Sequence, residues 1–195
     1  MPIGAGGDSG AAGVLSSGTG TLSVSKDAKY GYGPVVVPFA AASTWMRIYG
    51  QNSTPGTVQL QGAIYKNSGG SIGTVFGYPG SLLGTTETIS LIGSSPAKWH
   101  ILNFSPSINV EAGQYHFIGF VGGTTFAGGI GTVNGMNRWG PDTDTFSGGI
   151  SDPYGAAGTI VSQFTSITIN LKYYPTHGGY FQFDSGPGVD RSHFR

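Results

Sequence analysis

Apolar and polar residues alternate with a period of two along much of the sequence, and this pattern predicts strands. It is clearest in residues 57–66 (TVQLQGAIYK) and 166–174 (SITINLKYY). Successive side chains of a strand point to opposite faces, so each segment presents one apolar face to a core. The sequence therefore favours sheets with a buried side over helices with a buried stripe.

The longest stretch of this kind covers residues 97–121 and predicts two strands joined by a tight turn at residues 110–113. Both faces of each strand carry aromatic or branched side chains, as expected inside a packed stack of two sheets. We interpret the two strands as a pair, which would bring His100 close to His116.

The run TWMRIY predicts a further strand with two different faces. Met46 and Ile48 share one face, whereas Trp45, Arg47 and Tyr49 share the other. An arginine between two aromatic side chains can be a stacked cation on a binding platform, or it can be an ordinary, partly exposed strand position. The sequence leaves both interpretations open.

Turn signals separate these segments at short intervals. Glycine accounts for 36 of the 195 residues, and each glycine inside a helix or strand costs roughly 0.5–1 kcal/mol relative to alanine. We therefore expect a long loop over residues 67–84, a glycine-rich stretch without a regular strand throughout over 122–135, and an irregular surface segment over 136–158. About nine strands and no helix remain. They predict an all-β fold, an antiparallel, jelly-roll-like β-sandwich with extended N- and C-terminal arms.

Composition divides the chain into three parts. Residues 1–20 are rich in Gly, Ala and Ser and predict a flexible N-terminal arm. Residues 21–175 contain the predicted sandwich. Residues 176–195 follow the last strand, and their aromatic density is untypical of a disordered tail, so we expect this segment to dock on its own domain or on a neighbouring copy. Its aromatic residues are Tyr180, Phe181, Phe183 and Phe194.

Charge is scarce, because Asp, Glu, Lys and Arg make up 9% of the residues and the formal net charge is zero. In soluble domains these four charged residue types usually make up about 25% of the residues. Such a surface is either covered by partner subunits or hydrated by small polar residues. The sequence has no basic patch for nucleic acid, no apolar run long enough for a membrane and no cysteine. Residues 1–13 lack the basic and apolar regions of a signal peptide.

The sequence contains one cluster of carboxylates, Asp142, Asp144 and Asp152. A loop with this spacing could bind Ca²⁺ through oxygen ligands, but the neighbouring Thr, Pro and Gly equally suit Asx-turns. A glycosidase pair is disfavoured because Glu87 and Glu111 are the only glutamates. The sequence has no histidine spacing typical of a metal site, no phosphate-binding loop and no nucleophile elbow. We expect no enzyme activity and no cofactor.

Three runs of residues stand in a distinctive order. They are 63–66 (AIYK) with 79–83 (PGSLL) and 86–88 (TET), then 98–99 (KW) with 102–104 (LNF) and 110–117 (VEAGQYHF), then 144–149 (DTFSGG) with 152–155 (DPYG). In this order they resemble a β-sandwich module that recurs in bacteriophage particle proteins and bacterial surface proteins. His116 departs from the module, which prefers Trp there, and loop 68–78 is longer. The resemblance implies a jelly-roll or lectin-like sandwich used in assembly or adhesion, without a catalytic set.

Our first hypothesis is a structural protein of a bacteriophage particle, either a capsid decoration (cement) protein or a tail or fibre component. It would lie in the virion and act by protein–protein assembly. Its partners would be copies of itself, for example in a trimer, and the major capsid or tail protein. The aromatic residues of segment 176–195 would contact these partners.

Our alternative hypothesis is a carbohydrate-binding, lectin-like adhesion module with a host-surface glycan as its partner. Aromatic rings can line such a site and stack on sugars. The candidate rings are Trp45, Tyr49, Trp99, Trp139 and Tyr154. Both hypotheses hold together in a receptor-binding tail protein.

Overall fold

The computed structural model describes residues 9–13, 17–69, 71–72, 75–131, 137–139, 144–155, 160–161 and 164–173. These residues form two antiparallel sheets packed against each other, which confirms the predicted all-β sandwich. One 3₁₀ turn spans Phe146–Gly148, and no helix in the described residues could span a bilayer. The strands are β1 (Ser9–Gly13), β2 (Gly20–Val24), β3 (Ala28–Val37), β4 (Ala41–Asn52), β5 (Thr57–Asn67), β6 (Ser71–Ile72), β7 (Val75–Phe76), β8 (Pro79–Thr85), β9 (Ile89–Ile92), β10 (Lys98–Val110), β11 (Gly113–Gly123), β12 (Phe126–Gly131), β13 (Asn137–Trp139), β14 (Ile160–Val161), β15 (Phe164–Thr165) and β16 (Ile167–Tyr173).

Each of the two large sheets contains seven strands. In the first sheet β1, β16, β4 and β10 lie side by side, and β12 joins the end of β4 together with β2 and β15. In the second sheet the order is β14, β13, β3, β11 and β5, and the far edge of β5 pairs with β8 and β9. The chain crosses between sheets from β3 to β4 to β5 and again from β10 to β11. This alternation is typical of a jelly roll.

The two long strands predicted over residues 97–121 are β10 and β11, but they do not pair with each other. β10 pairs with β4, and β11 lies between β3 and β5 in the other sheet. The turn after Val110 therefore connects the two sheets. The expectation that His100 and His116 are neighbours on paired strands is wrong for this reason.

The core lies between the two sheets and follows the predicted alternation along the strands. Met46 and Ile48 of β4 are fully buried, as are Leu60 and Ile64 of β5. Each side chain of this kind contributes roughly 1.5–3 kcal/mol when it leaves water. The same alternation sends the intervening side chains of β4 to the outer face of the first sheet.

Segments expected to be irregular contain additional strands, so the described residues hold more strands than the predicted nine. Residues 67–84 contain β6, β7 and β8, and the glycine-rich residues 122–135 contain β12. Tyrosine rings explain the regularity of β12. A Cβ atom at Gly128 would lie 3.1 Å from the Tyr30 ring, and one at Gly129 would lie 2.9 Å from the Tyr49 ring. The rings thus cover backbone that has no side chains of its own.

The two terminal segments differ in what the structure describes. Within the predicted N-terminal arm, β1 pairs antiparallel with β16 from Ser9 opposite Lys172 to Gly13 opposite Thr168. Residues 9–13 of this arm are therefore an edge strand of the first sheet as far as the described residues show. The predicted docking segment 176–195 lies outside the described residues, so its docking stays a prediction.

Candidate functional site

One arginine and three aromatic side chains meet on the outer face of the first sheet. We call this group the aromatic face; it consists of Trp45, Arg47 and Tyr49 of β4 and Trp99 of β10. Each of the four side chains is partly exposed. Met46 and Ile48, which alternate with them along β4, are buried. The sequence predicted the shared face on β4, and the pairing of β4 with β10 adds Trp99 opposite Tyr49.

The guanidinium of Arg47 stacks against both indoles. Its Cζ atom lies 4.8 Å from the centre of the Trp99 ring and 5.6 Å from that of Trp45. Tyr49 packs edge-on against Trp99, with ring centres 5.4 Å apart. Cation–π contacts contribute roughly 0.5–2 kcal/mol each. Arg47 is thus a cation packed against two rings at a partly exposed strand position, and its role in a binding platform stays a prediction.

Arg47 gives the aromatic face a positive charge, and no carboxylate lies on the strands that form it. The strands of the first sheet contain Arg47, Lys98 and Lys172 but no Asp or Glu. Among the described residues Arg47 has no ion-pair or hydrogen-bond partner, and its Nε atom is shielded from solvent. The side chain is therefore held in place by ring stacking alone within this part of the chain.

Ile101 is a residue of this face that the sequence analysis did not select. It lies directly opposite Arg47 on β10 and is 57% exposed. The signal was available, because Ile101 shares a predicted face with Trp99, but its exposure depends on what covers the sheet. The sequence alone does not show which sheet faces are covered.

Residues 144–155 cover the outer face of the second sheet. Beneath them lies Lys29 of β3, whose side chain is completely buried. Its Nζ atom donates hydrogen bonds to Asp144 Oδ2 at 2.7 Å, Ser151 Oγ at 2.8 Å and the Tyr154 carbonyl oxygen at 2.7 Å. A buried ammonium is tolerated only when it is paired and hydrogen-bonded in this way. Sequence analysis did not identify Lys29.

Asp144 is therefore a partner of a buried cation. Desolvation by itself raises the pKa of Asp144, but hydrogen bonds from Lys29 and Ser151 outweigh it and hold the pKa below its ordinary value. Asp152 accepts a hydrogen bond from the backbone N–H of Leu82 at 2.8 Å. Asp142 lies outside the described residues. In the described part of the chain no three His, Asp or Glu side chains are grouped as metal ligands, so the calcium site stays a prediction with two of its carboxylates already engaged.

The structure contradicts the choice of Tyr154 as a candidate sugar-stacking ring. Its side chain is fully buried in a small cluster with Ala63, Tyr65 and Ile118. The Tyr65 ring contacts it edge-on at 5.2 Å, and Lys29 Nζ lies 4.2 Å from its centre. Because the ring is covered from the protein side and by its own segment, it offers no surface to a sugar.

Trp139 belongs to a different sheet from the aromatic face. The backbone of Trp139 belongs to β13 in the second sheet, where it pairs with Gly31 and Ile160. The C-terminal candidates Tyr180, Phe181, Phe183 and Phe194 lie outside the described residues. The structure therefore brings together three of the predicted rings, Trp45, Tyr49 and Trp99.

The three runs that resemble the bacteriophage and surface-protein module meet in space. Tyr65 of the first run donates a hydrogen bond to the Ser151 carbonyl oxygen of the third at 2.6 Å, and Ile118, just beyond the second run, packs against both. The chain matches no protein-family model and no curated protein. Fold and contacts together define the class of the protein as an antiparallel β-sandwich with one covered outer face and an aromatic, cationic group on the other.

Proposed function

We propose that the chain is a structural protein of a virus particle, a capsid decoration protein or a tail or fibre component, that acts by protein–protein assembly. The resemblance of the three runs supports this proposal, as does the scarcity of charge, 9% of residues with zero net charge. A neutral surface provides little like-charge repulsion between copies.

The observation that carries the proposal is the edge strand β9. It pairs with β5 on one side only among the described residues. Its sequence, ISLI, contains no charge and no proline, and Ile92 is 83% exposed. Proteins that remain monomeric usually protect edge strands with charged side chains, proline or bulges. Apart from its short length of four residues, β9 has none of these protections, so its free edge can pair with another chain.

The proposal is tested by the mass of the purified protein and by its presence in particles. Light scattering during size-exclusion chromatography should give a closed oligomer, an integer multiple of 20.0 kDa. Density-gradient fractions from a lysed culture of the cells that carry the gene should contain the chain in the particle band.

The variant Ile92→Asp should shift the mass towards the monomer, because it places a charge on the free edge of β9. Ser107→Asp is the matched control, since it adds the same charge at an exposed position of β10 in the first sheet, and it should leave the mass unchanged. A monomeric wild-type protein that is absent from the particle band would overturn the proposal.

A carbohydrate-binding adhesion module is the second candidate function. The aromatic face favours it, because flat rings with a positioned polar group are typical of ligand sites. The two functions are compatible in one protein, since the aromatic face and β9 belong to different sheets.

A further inference from the structure

We propose that the aromatic face binds a saccharide that carries a carboxylate, with the sugar ring on an indole and the carboxylate on the guanidinium of Arg47. This inference goes beyond assembly. It rests on the second candidate function, carbohydrate binding, and adds the class of sugar that is bound. The shape, the preorganisation and the charge of the site support it.

The shape of the face suits a sugar. Trp45 and Arg47 are two residues apart on one strand, a separation of roughly 6.6 Å that is comparable to one sugar unit. Trp99 lies diagonally across from Trp45 on β10, on the other side of Arg47. The apolar face of a sugar ring can pack on either indole while its substituents reach the guanidinium.

The site is preorganised for a carboxylate. Contacts with both indoles hold the Arg47 guanidinium between the rings before any ligand arrives. A fixed guanidinium loses little conformational entropy when it binds, and its planar fork matches the two oxygens of a carboxylate.

Charge complementarity selects an acidic ligand. The strands of the first sheet contain no Asp or Glu, and Arg47 places a positive charge at the centre of the aromatic face. Glu87 lies beside β10, where its backbone N–H donates to the Asn103 carbonyl oxygen, and its side chain forms no ion pair with any described residue. An anion on Arg47 would therefore meet attraction and no opposing carboxylate from these strands.

The small size of the face disfavours a second protein as its occupant. A standard protein interface buries about 800 Å² on each partner. The aromatic face and Ile101 comprise five side chains, of which only Ile101 is more than partly exposed. That area suits one or two sugar units better than a folded partner.

Binding can be followed by tryptophan fluorescence and by calorimetry with the full chain. The probes are trigalacturonate and 3′-sialyllactose, with the methyl ester of trigalacturonate and with lactose as neutral counterparts. We expect both acidic probes to bind, each neutral counterpart to bind at least tenfold more weakly, and affinity to fall as salt is raised.

Variants separate the roles of the residues. Arg47→Met and Trp99→Ala should each lower the affinity for the acidic probes at least tenfold. Lys172→Met, which removes an equal charge elsewhere on the first sheet, should change it less than twofold. Thermal unfolding establishes that each variant is folded, and the comparison of acid with ester needs the wild-type protein alone.

Three results would overturn the inference. They are that neither acidic saccharide binds, that acid and ester bind with equal affinity, and that poly-L-glutamate binds as tightly as the acidic saccharides. The last result would make an acidic peptide the occupant. None of these results affects the assembly proposal, because that proposal depends on mass, on particle association and on β9.

Discussion

At the scale of single residues, Lys29 has the largest structural consequence. Its buried ammonium makes a tight pair with Asp144, which retains 23% exposure. A buried ion pair adds little stability compared with a well-packed apolar pair, but removing one partner alone is costly because the other charge stays buried. The pair thus determines that residues 144–155 have one position on the second sheet.

Asp144→Asn should lower the free energy of unfolding by about 3 kcal/mol, because it leaves the ammonium of Lys29 buried without this carboxylate. Adding Lys29→Met should recover part of the loss. Urea denaturation measures both effects. Glu111→Gln is the control, since it removes an exposed pair with Lys66 at 4.0 Å and should cost no more than about 1 kcal/mol. A double variant less stable than Asp144→Asn would contradict this account.

His116 should make stability depend on pH. Its side chain is fully buried, its Nε2 donates to Asn67 Oδ1 at 3.0 Å, and burial lowers its pKa to about 3. A histidine that stays neutral in the fold but takes up a proton in the unfolded chain contributes stability above its unfolded pKa of about 6.5. This contribution is lost as the pH falls from 6.5 towards 3, by at most about 1.4 kcal/mol per pH unit.

The variant His116→Gln tests this dependence, because glutamine does not titrate and can still donate to Asn67. Denaturation curves at several pH values between 8 and 4 should show a smaller loss of stability for the variant than for the wild type. Parallel pH profiles would show that His116 is not the cause.

At the scale of elements, residues 144–155 behave as an irregular cover attached by specific bonds. The Tyr65 hydroxyl donates to the Ser151 carbonyl oxygen, the Tyr154 N–H donates to the Gly80 carbonyl oxygen at 3.2 Å, and Phe146 packs on Phe120 with ring centres 4.9 Å apart. These contacts connect the cover to three different strands of the second sheet. The cover is thus the element that buries the outer face of that sheet.

Tyr65→Phe should loosen this cover selectively. Losing the 2.6 Å bond to Ser151 should cost about 1 kcal/mol and increase hydrogen exchange at the amides of residues 144–155. Tyr115→Phe is the matched control, because it removes a comparable bond, 3.0 Å long, to the Glu111 carbonyl oxygen. If both variants gave the same exchange in residues 144–155, the bond to Ser151 would not hold the cover.

Comparison of sequence and structure shows what local patterns can and cannot predict. The alternation in β4, β5 and β10 correctly predicts which residues point to the core, because side-chain direction is a local property of a strand. Strand pairing depends on the whole chain, so β10 was assigned to the wrong partner. The cover was missed for the same reason, since Lys29 lies more than a hundred residues from Asp144.

At the scale of the whole molecule, the two outer faces of the sandwich differ. The second sheet is covered by residues 144–155, whereas the first sheet displays the aromatic face and Ile101. Of the candidate site, the sequence predicted the residues on β4 and Trp99 individually, and the fold supplied their proximity. Tyr154 was predicted wrongly because its burial results from a cover that only the tertiary structure shows.

The arrangement of charges has a consequence for how the molecule approaches other bodies. Every described carboxylate lies in a turn or loop, whereas every described lysine and arginine except Lys26 belongs to a strand. In the second sheet Lys29 and Lys66 are paired with Asp144 and Glu111, whereas no described carboxylate forms an ion pair with a cation on a strand of the first sheet. A protein without net charge can therefore still rotate in the field of an anionic surface so that its first sheet leads. In 1 M salt, where such fields extend only about 3 Å, the orientation on arrival would become random.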